Sequence, residues 1–63
     1  MLDSTAWQNS IRDAAVGVLS NYDNGAEIVR FTLHKYNATS IEDLSPSDYA
    51  EVFDELDFMA NDN

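Results

Sequence analysis

The stretch 45–60, SPSDYAEVFDELDFMA, constrains this chain more than any other. Ser45 suits a helix N-cap. Pro46 suits the first helical position, where its missing N–H is not needed, and Asp48 stands three residues after Ser45, where a capping box closes. Tyr49, Val52, Phe53, Leu56 and Met59 then recur at steps of three and four, which lays one apolar stripe along a helix. Asp48, Glu51, Asp54, Glu55 and Asp62 sit on the other side, and one aromatic, Phe58, falls among them. A helix with a single apolar face needs other helices to cover it, and the remaining sequence supplies two.

Upstream, Asp3 is placed to cap a first helix, with Leu2 stapled onto Trp7 across its first turn. Trp7, Ile11, Ala14, Ala15, Val18 and Tyr22 form the stripe of that helix, which is expected to end near Ser20 or Asn21. Gly17 weakens it by about 1 kcal/mol relative to Ala, a cost that a close approach by another helix would explain. Val16 points away from the stripe. Asn21-Tyr22-Asp23-Asn24-Gly25 is a turn by composition. It has some of the residues of a calcium loop, but Thr32 stands where the late bidentate acid belongs.

Asn24 then caps a second helix, with Glu27 as its box partner. Ile28, Val29, Thr32, Leu33 and Tyr36 make the inner face, and Phe31 lies at its edge. His34 and Lys35 come near the C-terminus, where positive charge suits the helix dipole. Asn37 suits a left-handed C-cap. Thr39-Ser40-Ile41-Glu42-Asp43-Leu44 offers another capping box and a short turn, with Ile41 and Leu44 plugging the open end of the core. No strand pattern, internal repeat or linker interrupts this order. The expected fold is all-α: residues 1–63 as a single helical domain, a three-helix bundle with a short helical turn before the third helix, which runs from Pro46 to about Met59.

What the chain lacks narrows its chemistry. With no cysteine it has no disulfide, no thiolate zinc site and no cysteine nucleophile. Its first residues lack the basic-then-apolar pattern of a signal peptide, and no window approaches the ~18 apolar residues of a membrane span. Asn37-Ala38-Thr39 matches a glycosylation acceptor, which means little without secretion. The expectation is a cytoplasmic protein off the membrane. The one histidine, His34, reads as a dipole partner or surface residue. Asp54, Glu55 and Asp57 are close in sequence, but no apolar pocket is implied that would raise a carboxyl pKa. Gly17 and Gly25 are the only glycines, too few for a phosphate-binding loop. The sequence therefore predicts no enzyme, no cofactor and no metal.

Charge is more informative. Twelve acids oppose three bases, for a formal charge of −9, and all three bases, Arg12, Arg30 and Lys35, precede the third helix. From Glu42 onward the chain carries Glu42, Asp43, Asp48, Glu51, Asp54, Glu55, Asp57 and Asp62 with no base. At about 100° per residue, Glu51, Asp54, Glu55, Phe58 and Asp62 share one flank of the helix, opposite Val52, Phe53 and Leu56. Such a flank repels nucleic acid and anionic membranes and attracts basic protein surfaces, including those that normally hold nucleic acid. Acidity that only keeps a small protein soluble is the plainer account. Phe58 is either the apolar anchor of a partner site, set among acids that mimic phosphates, or a ring folded back over the core. The expected partner-binding residues are Asp48, Glu51, Asp54, Glu55, Phe58 and Asp62. Charge repulsion predicts a monomer or weak homodimer.

Residues 28–56, IVRFTLHKYNATSIEDLSPSDYAEVFDEL, resemble small helical modules of phage proteins, especially the tail modules of single-strand annealing proteins. The shared pattern is a helix ending in Lys35-Tyr36, the turn Thr39-Ser40-Ile41-Glu42-Asp43-Leu44, and a capped helix opening at Ser45-Pro46-Ser47-Asp48-Tyr49. It covers under half of the chain. The resemblance implies a module that recruits protein partners and performs no chemistry. In size and charge the chain is also similar to small acidic phage inhibitors such as anti-CRISPR proteins. Three functions follow as expectations: a stand-alone inhibitor that blocks a basic, nucleic-acid-handling partner such as a host defence nuclease; a docking module that recruits a recombination or single-strand-binding protein; and a structural or oligomerisation unit.

Overall fold

Three amphipathic stripes close on one another in the order the sequence sets out. The computed structural model describes residues 4–61. In it α1 spans Ser4–Asn21, α2 spans Gly25–Lys35 and α3 spans Tyr49–Ala60, with a 3-10 turn over Pro46–Asp48 leading into α3. This is the expected all-α, three-helix arrangement with a short helical turn before the third helix. The Asp3 cap, the staple of Leu2 onto Trp7, and Asp62 lie outside the described residues. Among those residues no helix is long and apolar enough to cross a membrane.

Contacts at the two ends set the helix directions. Trp7, near the start of α1, meets Tyr49 at 6.3 Å between ring centroids and Phe53 edge-on at 6.2 Å. At the far end, Asn21 Nδ2 donates to the carbonyls of Met59 (3.2 Å) and Ala60 (2.5 Å). Helices α1 and α3 therefore run parallel. Helix α2 runs back against both of them. Its first residue, Gly25, packs on the backbone of Val18 and Leu19, and Tyr36 just beyond its end reaches Glu55. The bundle is up-down-up, and residues 36–48 return the chain to the start of α3.

The core follows the stripes. Ile11, Val18, Val52 and Leu56 are fully buried, with Ala14, Ala15, Leu33, Leu44 and Tyr49 around them. Ile28, Val29, Tyr36, Ile41, Phe53 and Met59 are partly buried against that centre. The buried Thr32 hydroxyl donates to the Ile28 carbonyl at 2.9 Å, so its burial leaves no orphaned donor. Two glycines permit the close approaches. A Cβ on Gly17 would come within 2.6 Å of the Ala60 Cβ, which shows why α1 carries a poor helix former where α3 crosses it. A Cβ on Gly25 would meet Leu19 Cα at 2.7 Å and the Val18 carbonyl oxygen at 2.8 Å.

The loop between α2 and α3 is well determined by local bonds. Asn37 adopts φ 61, the left-handed C-cap expected of it. Asn37 N donates to the His34 carbonyl and Ala38 N to the Leu33 carbonyl, which completes a Schellman motif with Ala38 and Leu33 both buried. Ser40 Oγ accepts from Asp43 N at 3.2 Å, while Asp43 Oδ2 accepts from Thr39 N at 3.1 Å. That is the expected capping box, with its return bond shifted one residue upstream.

The other two expected boxes do not form. Asn24 precedes α2, but at φ −101 and ψ 29 it lies outside the extended region from which a cap side chain reaches the first turn, and it makes no such bond. Ser45 is extended, yet its side chain also makes no cap bond. The Ser45 backbone carbonyl instead takes the Asp48 N–H at 2.9 Å. That i to i+3 bond tightens the first turn into a 3-10 turn, so α3 begins at Tyr49 rather than at Pro46.

Candidate protein-binding surface

Helix α3 is divided by angle. Tyr49, Val52 and Leu56 face the core, and Ala60 faces α1. On the remaining arc Glu51, Asp54 and Phe58 are exposed. The Phe58 ring is among the most open large apolar groups described, at 74% exposure, so it does not fold back over the core. Asp54, Glu55, Phe58 and Met59 line a shallow groove beside it. Asp48 is half-buried at the junction of the 3-10 turn with α3. Among the described residues Glu51 and Asp54 make no ion pair.

Glu55 stands apart from the acids it was grouped with. Its carboxylate accepts from Lys35 Nζ on one oxygen and from the Tyr36 hydroxyl on the other. The Lys35 and Tyr36 bonds hold its carboxyl below the ordinary 4.5, Lys35 contributing most. The same bond pushes the Tyr36 hydroxyl up to about 12, because the proton it donates to Glu55 becomes harder to remove. Burial, and the negative charges of Glu55, Glu51 and Asp48, add to that rise. Glu55 thus ties α3 to the end of α2. A second ion pair, Arg12 with Glu42 at 2.5 Å, links α1 to the loop on the exposed surface.

Helix α2 adds a group that periodicity placed only at the edge of its inner face. Phe31 is 68% exposed, and Lys35 Nζ lies 5.9 Å from the centre of its ring. Asn24, Glu27, Ile28, Arg30 and His34 surround it in an open depression. The signal available in the sequence was a fourth apolar column beside a three-column stripe. Val16 and Leu19, at 55% and 49% exposure, form a smaller exposed pair on α1. Among the described residues no three His, Asp or Glu side chains gather to hold a metal ion.

Comparison with known proteins returned no matching family model, no matching curated protein and no matching solved structure.

Proposed function

We propose that this chain is a non-enzymatic protein-binding module that presents the outer arc of α3 to a basic protein surface. The observation that carries the reading is Phe58, 74% exposed beside the unpaired acids Glu51 and Asp54 on a helix without a base. A buried phenylalanine contributes up to about 3 kcal/mol to an interface, and acids around it attract a basic partner and orient it. A basic surface that meets such an arc is commonly one that holds phosphate, so the module occupies the place of nucleic acid. The reading is of an inhibitor of a nucleic-acid-handling protein, of phage or mobile-element origin, acting in the cytoplasm on a target such as a host defence nuclease.

The test is capture of a partner from host lysate followed by competition. Nucleic acid should displace the module, the affinity should fall as salt rises, and Glu51→Lys with Asp54→Lys should abolish capture. A ternary complex of module, partner and nucleic acid would turn the reading to recruitment. Affinity indifferent to salt and to both charge reversals would end it.

A further inference from the structure

The two most exposed aromatic rings belong to different helices, and helix register brings them to one level. Helices α2 and α3 are antiparallel, and Lys35 is paired with Glu55 across their seam. One turn back along α2 from Lys35 is Phe31, whose ring lies under the Lys35 ammonium at 5.9 Å. Nearly one turn forward along α3 from Glu55 is Phe58, which lines the same groove as Glu55 and Met59. In antiparallel helices these two steps go the same way, each about 5 Å along the bundle. Each ring lies within about 60° of its seam residue, on the outward side.

We infer that Phe31 and Phe58 are the two walls of one cleft on the outer α2–α3 seam, floored by the Lys35 and Glu55 pair, and that its occupant is a basic amphipathic helix of a partner protein. This rests on the reading of α3 as a partner-binding face and extends that face onto α2. The choice of occupant follows from charge. Glu51 and Asp54 stand outside the Phe58 wall, while Glu27 shares the surround of the Phe31 wall with Arg30 and His34, so the acidic excess lies on the α3 side; among the described residues none of the three acids makes an ion pair. A helix lying along the seam would place apolar side chains at i, i+3 or i+4 and i+7 between the rings. Lysines or arginines on its two shoulders would reach the acids on both sides. A second copy of this chain suits the cleft poorly, because it brings a further −9 to an acidic rim.

The probe is a synthetic lysine and leucine amphipathic helix, set against a peptide of equal charge whose leucines are replaced by serine. Titration calorimetry would be run on wild type, Phe31→Ala, Phe58→Ala, Glu51→Lys with Asp54→Lys, and a Val16→Ala, Leu19→Ala control, each checked for an unchanged thermal melt. The amphipathic helix should bind wild type and the control alike, and should lose about tenfold or more with either phenylalanine removed. The serine peptide should bind weakly and equally to wild type and both phenylalanine variants. If Phe31→Ala binds the amphipathic helix as wild type does while Phe58→Ala or the charge reversals weaken it, the site is confined to α3: the cleft is refuted and the proposed function stands. If no variant differs from wild type, both fail. Sedimentation of the free proteins closes the remaining alternative. A wild-type dimer that Phe31→Ala dissociates would assign the cleft to a second copy and overturn the inference.

Discussion

Three substitutions along α3 separate the fold from its outer face. Leu56 is fully buried, Phe53 is partly buried with its edge against Trp7, and Phe58 is 74% exposed. Leu56→Ala removes a core side chain and leaves a cavity, at about 3–5 kcal/mol. A domain of this length has about 3–9 kcal/mol in total, so the variant should be partly or wholly unfolded at room temperature. Phe53→Ala loses the part of the ring that is covered and its edge-on contact with Trp7, for about 1–3 kcal/mol. Phe58→Ala loses only the quarter of its surface that is covered. At up to about 3 kcal/mol for complete burial this is well under 1 kcal/mol, and the better helix propensity of alanine returns about half of that or more. One kcal/mol shifts the melting temperature of so small a domain by about 4–8 °C. Circular dichroism melts should therefore show Phe58→Ala within a few degrees of wild type and Phe53→Ala clearly lower, with Leu56→Ala lowest or without a transition. Trp7 emission should shift to the red in Phe53→Ala alone of the two phenylalanine variants. A Phe58→Ala melt as damaged as that of Phe53→Ala would refute the exposed placement of Phe58 and remove both functional arguments built on it.

The bond network at Glu55 makes stability depend on pH in a stated direction. Its carboxyl is held below the ordinary 4.5, so the stabilisation is present above that value and is lost as pH falls through the folded-state value. Urea midpoints should drop more steeply on acidification in wild type than in Glu55→Gln, and an equal gap between the two proteins at neutral and acid pH would contradict the argument. Tyr36 is raised from 10.0 to about 12, so its share is present below 10.0 and lost as pH rises through about 12. Tyrosinate absorbance should show a group titrating near 12 that Tyr36→Phe deletes and that Glu55→Gln returns toward 10.0; a titration that Glu55→Gln leaves unmoved would break the link between the two residues. Gly17→Ala should lower the melting temperature despite improving helix propensity, because its Cβ overlaps that of Ala60, and the double variant with Ala60→Gly should recover most of the loss. Failure of that recovery would mean that α1 and α3 do not cross there. Gly25→Ala should be worse, since the atoms it meets are backbone and have no second position to take. Finally, the protein should not bind DNA or RNA at moderate salt, and a gel shift at micromolar protein would overturn the charge argument.

The helices were legible because burial repeats with the helical period: nearly every residue assigned to a stripe in α1, α2 or α3 is buried or partly buried. Asn37 was legible for a different reason, since a polar residue that tolerates positive φ after an apolar helix has few other uses. The caps were less legible because a cap bond depends on the φ and ψ of one residue. At Asn24 those angles accompany the docking of Gly25 against α1, and at Ser45 the backbone carbonyl reached the Asp48 N–H in place of the side chain. The candidate site was half legible. Phe58 and the free acids on its arc could be placed by counting around one helix. The capture of Glu55 by Lys35 and Tyr36, on which the proposed alignment of Phe31 with Phe58 is built, depends on the register between α2 and α3, and no count along one helix contains it.

Solubility accounts for acids on an outer surface, but it does not account for the rings among them. Small exposed aliphatic side chains on a small protein need no explanation, and Val16 and Leu19 can be left at that. Phe58 and Phe31 differ because both are large and both are about three-quarters or two-thirds open. Selection for solubility alone would favour polar residues at both positions, since neither ring contributes much to the core. On the proposed function, what keeps them useful is an apolar contact made with something outside the chain. The acids then have a second role. On the same proposal they would raise the rate of encounter with a basic partner and discourage the two rings from meeting those of another copy. The fold draws on Glu55 of this arc to fasten α2 to α3, and among the described residues Glu51 and Asp54 enter no ion pair. A single helix thereby closes the bundle with one face and, on the proposed function, meets a partner with the other, and the Glu55 column is the boundary between the two.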